Sequence, residues 1–499
     1  MSGFLSPKEL QSLKPAETSS FAAPIPTQIV SSDEFFPQRQ NQQQREVEAR
    51  LKEMGTRLAR KQGITRRSFF LTAAGMAAAF LAMNEVYGNI FDVTAAEAAT
   101  PEMAADRATA FEDQFVFDGH THFLRDDTRL MGFVKMRQAV SDSGWNPGLT
   151  GKKQTIEDLK YNNYYKEIFL DSDTKVALIS SAPSDIPRDW FLTNEMMAAA
   201  REKVNRAAGS KRLLCHAIFT PGQPGWLDNL DHALALKPDS VKGYTIGDNT
   251  HKETSRYPWR MDDEKVTYLG YERMQKAGIK NVCVHKGLFP PSLDDAFPKL
   301  RPYADVSDVG KAARDWPQLN FIIYHSGYRN VGGGSSDAAE AWAMVEKSGR
   351  NDWVTDLAEV PAKYGVTNVY GDLGQLFAAS TVAQPKLAAY LVGCLVNGLG
   401  ADHVVWGTDA LWTGSPQWQI EGLRRLEIPE DMQKRFGLKP LGAADGPVKT
   451  AILSGNSARL YNYKVPASWS KMDRFAALKQ EYLQAAPRRT NLRYGYVSV

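Results

Sequence analysis

Phe115-Val116-Phe117-Asp118-Gly119-His120-Thr121-His122 is a short apolar run that ends in two histidines. In an extended strand, side chains at i and i+2 point to one face, so His120 and His122 can converge on a single point, with Asp118 one step lower on that face. Seven more runs of this kind follow: KVALISSAP (175–183), RLLCHAIFT (212–220), SVKGYTIG (240–247), NVCVHKGL (281–288), NFIIYHSGY (320–328), NVYGDLG (368–374) and HVVWGTDA (403–410). Between them lie stretches with helical periodicity, for example 191–209, 265–278 and 381–400. Strands alternating with helices imply βαβ units and a parallel sheet. Eight such units predict an α/β fold closed into a (β/α)8 TIM barrel, with a C-terminal helical extension from about residue 447.

Segments 124–170, 247–265, 328–352 and 410–420 all follow strand ends. In a barrel these long βα loops build the active-site face. The chemistry-bearing residues fall at the same end. His285 closes the fifth run, His325 the sixth and Asp409 the eighth, so four of the chain's 8 histidines end predicted strands beside a terminal aspartate. Three imidazoles (His120, His122, His285) and a carboxylate (Asp409) suit a divalent cation with one open position. Zinc is the first expectation and manganese or iron the alternatives, with a second metal the weaker reading. Such an ion lowers the pKa of a bound water and polarises a substrate oxygen.

Other polar residues are candidates for substrate binding. Lys242 lies on the fourth strand, as a pocket residue or a carboxylated lysine bridging two metals, and His216 on the third, facing pocket or core. His251 and Arg260 lie in the loop after the fourth strand, where an arginine can clamp a carboxylate, and Trp412 follows Asp409. Gly332-Gly333-Gly334-Ser335 lacks the Lys-Ser/Thr of a phosphate cradle.

The chain has 499 residues, with 60 basic and 57 acidic side chains and a net charge of +3. That balance leaves no footprint for nucleic acid or a membrane surface. Three cysteines, Cys215, Cys283 and Cys394, are too few and too scattered for a disulfide framework, and the first two sit in apolar runs as small hydrophobes.

The N-terminal part has a different character. Residues 1–50 are rich in Pro, Ser and Gln, and 1–64 read as a disordered leader, with Met54 as an alternative start or residues 1–53 as a dispensable arm. Residues 65–98 carry Arg66-Arg67-Ser68-Phe69-Phe70, the apolar stretch LTAAGMAAAFLAM and the small-residue site Ala96-Glu97-Ala98, the layout of a secretory signal peptide. The paired arginines resemble a twin-arginine signal, which implies the twin-arginine export machinery as a partner and a periplasmic or exported protein. The alternative is an uncleaved membrane anchor, although the apolar run falls short of the roughly 20 residues that span a bilayer. Residues 99–499 then form the barrel.

DGHTH (118–122), CVHKG (283–287), YHSGY (324–328), WGTDALW (406–412) and SGNSARLY (454–461), in that order, resemble the amidohydrolase superfamily. Within it they are most similar to the amidohydrolase-related branch that includes aminocarboxymuconate-semialdehyde decarboxylase. The resemblance runs from about 115 to 463. It implies metal ligands at His120, His122, His285 and Asp409 and a proton-handling histidine at His325; beside it, Asp409 is expected to act catalytically as ligand and hydrogen-bond partner of the water. One departure is His325-Ser326-Gly327-Tyr328, where the family often has two glycines soon after the histidine. The expected activity is metal-dependent hydrolysis of a small organic substrate, aromatic or carboxylate. Non-oxidative decarboxylation is the alternative, and an exported, non-catalytic metal-binding scaffold or a homo-oligomer complete the expectations.

Overall fold

The computed structural model describes residues 23–27, 40–132, 134–135, 138, 142, 153, 155–331, 337–467 and 473–484. Its centre is one eight-stranded parallel sheet whose spatial order is the sequence order. The strands are β1 (Phe117–Thr121), β2 (Val176–Ile179), β3 (Leu213–Ile218), β4 (Ser240–Tyr244), β5 (Asn281–His285), β6 (Asn320–Tyr324), β7 (Val369–Asp372) and β8 (Val404–Val405). Every one falls inside its expected run. The tail of β8 returns to β1: Gly119 N–H donates to Trp406 O at 2.9 Å, Asp409 N–H to His120 O at 2.8 Å, and Thr121 bridges Ala410 in parallel. This closes the barrel that the eight-unit rhythm predicts.

The strands are short and almost wholly buried, because helices cover them outside and side chains fill them inside. Crossover helices lie where the periodicity placed them, at Asn194–Ala208, Thr267–Lys276 and Pro385–Gly398. The C-terminal extension is real and has a task. In the SGNSARLY segment, Asn456 Nδ2 donates to Ala401 O and Val404 O, and so pins the closing helix to β8. Tyr461 and Tyr463 stack on Phe117 and Phe115 at 5.6 Å, plugging the lower end of the barrel. The glycine run 332–334 with Ser335 lies outside the described residues.

The leader is where expectation and structure part. Residues Gln42–Lys61 form a helix, α1, with a capping box between Asn41 and Gln44. Its buried positions Val47, Leu51, Met54 and Leu58 recur every three or four residues, an apolar stripe that the Gln- and Arg-rich composition conceals. That stripe packs on α2 (Ala73–Tyr87), which is the apolar stretch expected to be a signal core. A helix that is apolar all round needs burial on every side. Here the barrel and α1 supply it, and Ala77, Ala78, Ala79, Phe80 and Ala82 are fully buried. Residues 42–64 are therefore not a disordered leader. No helix among the described residues is long and apolar enough to cross a membrane.

α2 is anchored to the barrel by specific contacts. Phe80 meets Phe91 at 4.8 Å between ring centroids, and Asn84 caps the following turn by accepting from the N–H groups of Ile90 and Phe91. The chain then pairs with the segment after α3 (Gln417–Arg425): Asp92 N–H donates to Arg425 O and Glu427 N–H to Ile90 O, each at 2.7 Å.

Candidate metal centre

His120, in β1, and His122, just past its end, lie at the top of the barrel and are completely buried. His122 Nδ1 lies 3.1 Å from the carbonyl oxygen of Ser180. A carbonyl only accepts, so Nδ1 carries the hydrogen and Nε2 the lone pair. His120 Nδ1 lies 3.0 Å from Asp372 Oδ1, the same oxygen that accepts the His325 N–H, so here too Nδ1 donates. Both Nε2 atoms then face Asp409 Oδ1, at 3.3 Å from His120 and 3.2 Å from His122. Each is a buried nitrogen without a hydrogen-bond partner. Two lone pairs directed at a carboxylate oxygen repel unless a cation sits among them, and nitrogen-plus-oxygen donors suit zinc, manganese or iron. The donor set therefore fits a divalent metal. Burial, and next the nearby Lys242 ammonium, hold both imidazoles in the neutral, ligating form; His122 is pushed down to about 3.

The loop bearing Asp409 is built for close approach. Asp118 accepts from Thr408 Oγ1 at 2.5 Å and from the N–H groups of Thr408 and His120, tying Trp406-Gly407-Thr408-Asp409 to β1. Asp409 itself takes a left-handed backbone, φ 59°. A side chain at Gly407 would run into Asp372 Oδ2 and His120 Cβ, so only glycine fits between the metal side and β7.

His325 stands 4.8 Å from His120 and 4.7 Å from His285, ring centre to ring centre. Gln375 N–H donates to its Nδ1 at 3.0 Å. Nδ1 is thus an acceptor, and the neutral ring carries its hydrogen on Nε2. A ring so fixed is a hydrogen donor at Nε2 and has no lone pair there for a cation. This bears on a second donor group, His120, His325 and Asp372, whose donor atoms also approach within 4.8 Å. Its His120 Nδ1 carries a hydrogen toward Asp372, and the His325 Nδ1 lone pair faces the Gln375 N–H. Hydrogen bonds hold that group together.

The other expected residues divide. Asp409, His120 and His122 come together. His285, buried at the end of β5, stacks on Tyr244 at 4.5 Å and faces His325, and it falls outside the tight trio. Lys242 is buried in the barrel with its ammonium 3.3 Å from the centre of the Tyr324 ring, beneath His120. Of the two places open to His216, the contacts favour the core: Nε2 lies 2.9 Å from Tyr324 Oη and Nδ1 2.8 Å from Ser240 Oγ, so both nitrogens are engaged inside the barrel. His251 binds Thr250 and Asp248, and Arg260 binds Asp262, Pro302 O and Ser307. None of those partners belongs to the histidine cluster. Trp412 lies over His122, 5.5 Å away and 25° from parallel, with Phe191 edge-on to it at 5.4 Å, and these rings roof the site.

Sequence reasoning missed Asp372, Gln375 and the Ser180 carbonyl. Asp372 had a signal, since it ends β7 as His285 ends β5. The other two act through backbone groups, which any residue type supplies.

A cavity of about 340 Å³ lies elsewhere, lined among others by Lys175 and Arg212, which precede β2 and β3. Arg212 is paired with Asp473 at 2.6 Å and Lys175 Nζ donates to Glu112 O, so it is no rival site.

Among solved structures, the chain is similar to 5-carboxyvanillate decarboxylase LigW from Sphingomonas paucimobilis, at 12% identity and TM-score 0.39 over 70% of this chain and 100% of that one. It is also similar to an amidohydrolase from Burkholderia multivorans (12%, 0.40, 70% and 99%) and to 2,6-dihydroxybenzoate decarboxylase from Rhizobium (13%, 0.37, 70% and 99%). No curated protein matches the chain. Residues 241–463, which carry β4 to β8, His285, His325, Asp409 and the closing helix, match the amidohydrolase family.

Proposed function

We propose that this chain is a metal-dependent enzyme of the amidohydrolase type that removes CO₂ from a small, planar carboxylate without oxidation. The observation that carries the reading is the hydrogen-bonded state of His325. Gln375 N–H occupies Nδ1, so the ring offers the site a hydrogen at Nε2 and no lone pair to take a proton from water. Decarboxylation needs a hydrogen delivered to carbon, whereas hydrolysis, the first expectation from the sequence, needs a base for water. In the proposed reaction the bond to the carboxyl carbon breaks and its electron pair stays on the substrate. CO₂ leaves, and the carbon takes a proton from a solvent water whose oxygen accepts a hydrogen bond from His325 Nε2–H, leaving hydroxide that the released CO₂ takes up as bicarbonate. His120, His122 and Asp409 would hold one divalent ion, with His285 beside it. When bound, such an ion orients the substrate and stabilises developing negative charge. The Trp412 and Phe191 rings suit a flat substrate, and their burial keeps water out.

The test is a panel of aromatic and unsaturated carboxylates offered to protein loaded with Zn²⁺, Mn²⁺ or Fe²⁺, with CO₂ release as the readout. In D₂O the product should carry one deuterium at the vacated carbon. Turnover of esters, lactones or amides with no CO₂ release would sink decarboxylation in favour of hydrolysis. Metal loading that never yields turnover of any substrate class would favour the scaffold reading. We also propose export through the twin-arginine route with α2 retained, which fractionation and intact-mass measurement of the delivered protein would check.

A further inference from the structure

We propose that Asp372 is the positioning residue of this site, its one buried carboxylate setting both the ligating form of His120 and the strained turn that carries His325. The inference rests on the metal-centre reading above.

Asp372 ends β7 and is completely buried. Its Oδ1 accepts from His120 Nδ1–H at 3.0 Å and from His325 N–H at 3.3 Å, and its backbone carbonyl accepts from Ser326 Oγ at 2.8 Å. These three bonds reach β1 on one side and the β6 turn on the other. That turn is strained: His325 has φ 61° and Ser326 φ 49°, left-handed values that are unfavourable for a residue with a β-carbon. Two of the three bonds hold the strained pair directly, and Gln375 N–H, three residues after Asp372, holds the imidazole. The space around the carboxylate is kept clear for it. Gly407 and Gly374 both lack side chains where a β-carbon would meet Asp372, and at Gly374 also the His325 ring.

The consequence for His120 is chemical. Hydrogen-bonded to a carboxylate, Nδ1 keeps its hydrogen, Nε2 keeps its lone pair, and the ring becomes a stronger donor to a cation. The consequence for His325 is geometric, since the strained turn aims it across His120 toward His285. One side chain thus couples the cation site to the hydrogen donor.

Asp372→Asn preserves shape and an acceptor oxygen but removes the charge. Titrated with Co²⁺, it should bind about 10–100-fold more weakly than the native chain, with a displaced Co²⁺ absorption band and native far-UV circular dichroism. Native Co²⁺ affinity and band in a folded Asp372→Asn protein would overturn the proposal, because a purely structural aspartate would leave both unchanged. A measurement on the unaltered protein covers the case in which the variant does not fold. ¹⁵N-histidine spectra should show His120 with its hydrogen on Nδ1, and finding it on Nε2 would equally overturn the assignment. Should the native chain bind no Co²⁺, the metal reading falls while the tautomer still decides the role of Asp372.

Discussion

Arg425 and Glu97 form a buried, two-pronged ion pair, with Nη2 2.6 Å from Oε1 and Nη1 3.1 Å from Oε2. Glu97 is the middle residue of Ala96-Glu97-Ala98, the tripeptide that reads in sequence as a cleavage site. In the fold it lies in a short helix, Ala95–Ala99, with Ala98 fully buried. The segment is helical here, with Ala96 exposed and Glu97 and Ala98 buried.

Stability measurements on the intact chain will show whether α2 belongs to the working protein. Phe80→Ala should lower unfolding free energy by about 3–5 kcal/mol, the cost of emptying a large aromatic site in a packed core. Denaturant titration reads this directly. No change in stability, or purified protein whose mass begins after Ala98, would mean that α2 is dispensable.

Metal retention should separate the histidines. His122→Ala removes one of the two Nε2 lone pairs that face Asp409 and should cost at least 100-fold in Zn²⁺ affinity. His325→Ala should retain Zn²⁺ within a few-fold and lose turnover, since its Nε2 carries a hydrogen. Elemental analysis after dialysis makes the comparison. An empty His325→Ala site in a folded protein would reassign that ring as a ligand.

Gly407→Ala is the sharpest test of packing at the centre. Its one methyl group is directed at the Asp372 carboxylate and at His120. The variant should lose metal binding, and overpacking of this kind costs typically 1–3 kcal/mol of stability. A melting curve with and without Zn²⁺ should show the native chain stabilised by metal and the variant indifferent to it.

Lys449 supplies a pH signature far from the site. It is fully buried, donates to Arg424 O at 2.9 Å, and burial pushes its ammonium down to about 8, partly opposed by Glu427. The unfolded lysine keeps its proton up to its ordinary value near 10.5. Between about 8 and 10.5 the unfolded state therefore binds more protons, and Lys449 makes the native chain gain stability as pH rises through that window. Lys449→Met should flatten this rise. An unaltered slope between pH 8 and 10.5 would show that Lys449 is not its source.

The periodic features were legible in the sequence because each depends on neighbours a few residues apart. All eight strands, three crossover helices and the pair His120 and His122 follow from alternation and helical spacing, and the strand ends picked out His285, His325 and Asp409. What belonged to the tertiary structure was every property set by a partner distant in the chain. The hydrogen on His325 depends on a backbone N–H fifty residues on, and the ligating form of His120 on a carboxylate in β7. His216 could face pocket or core by sequence, and Tyr324 and Ser240, distant in the chain, are what engage both its nitrogens. The same reason accounts for α2. An all-apolar helix records in its sequence only that it must leave water, and the surface that receives it, here Phe91, Arg425 and the stripe of α1, is decided by the fold.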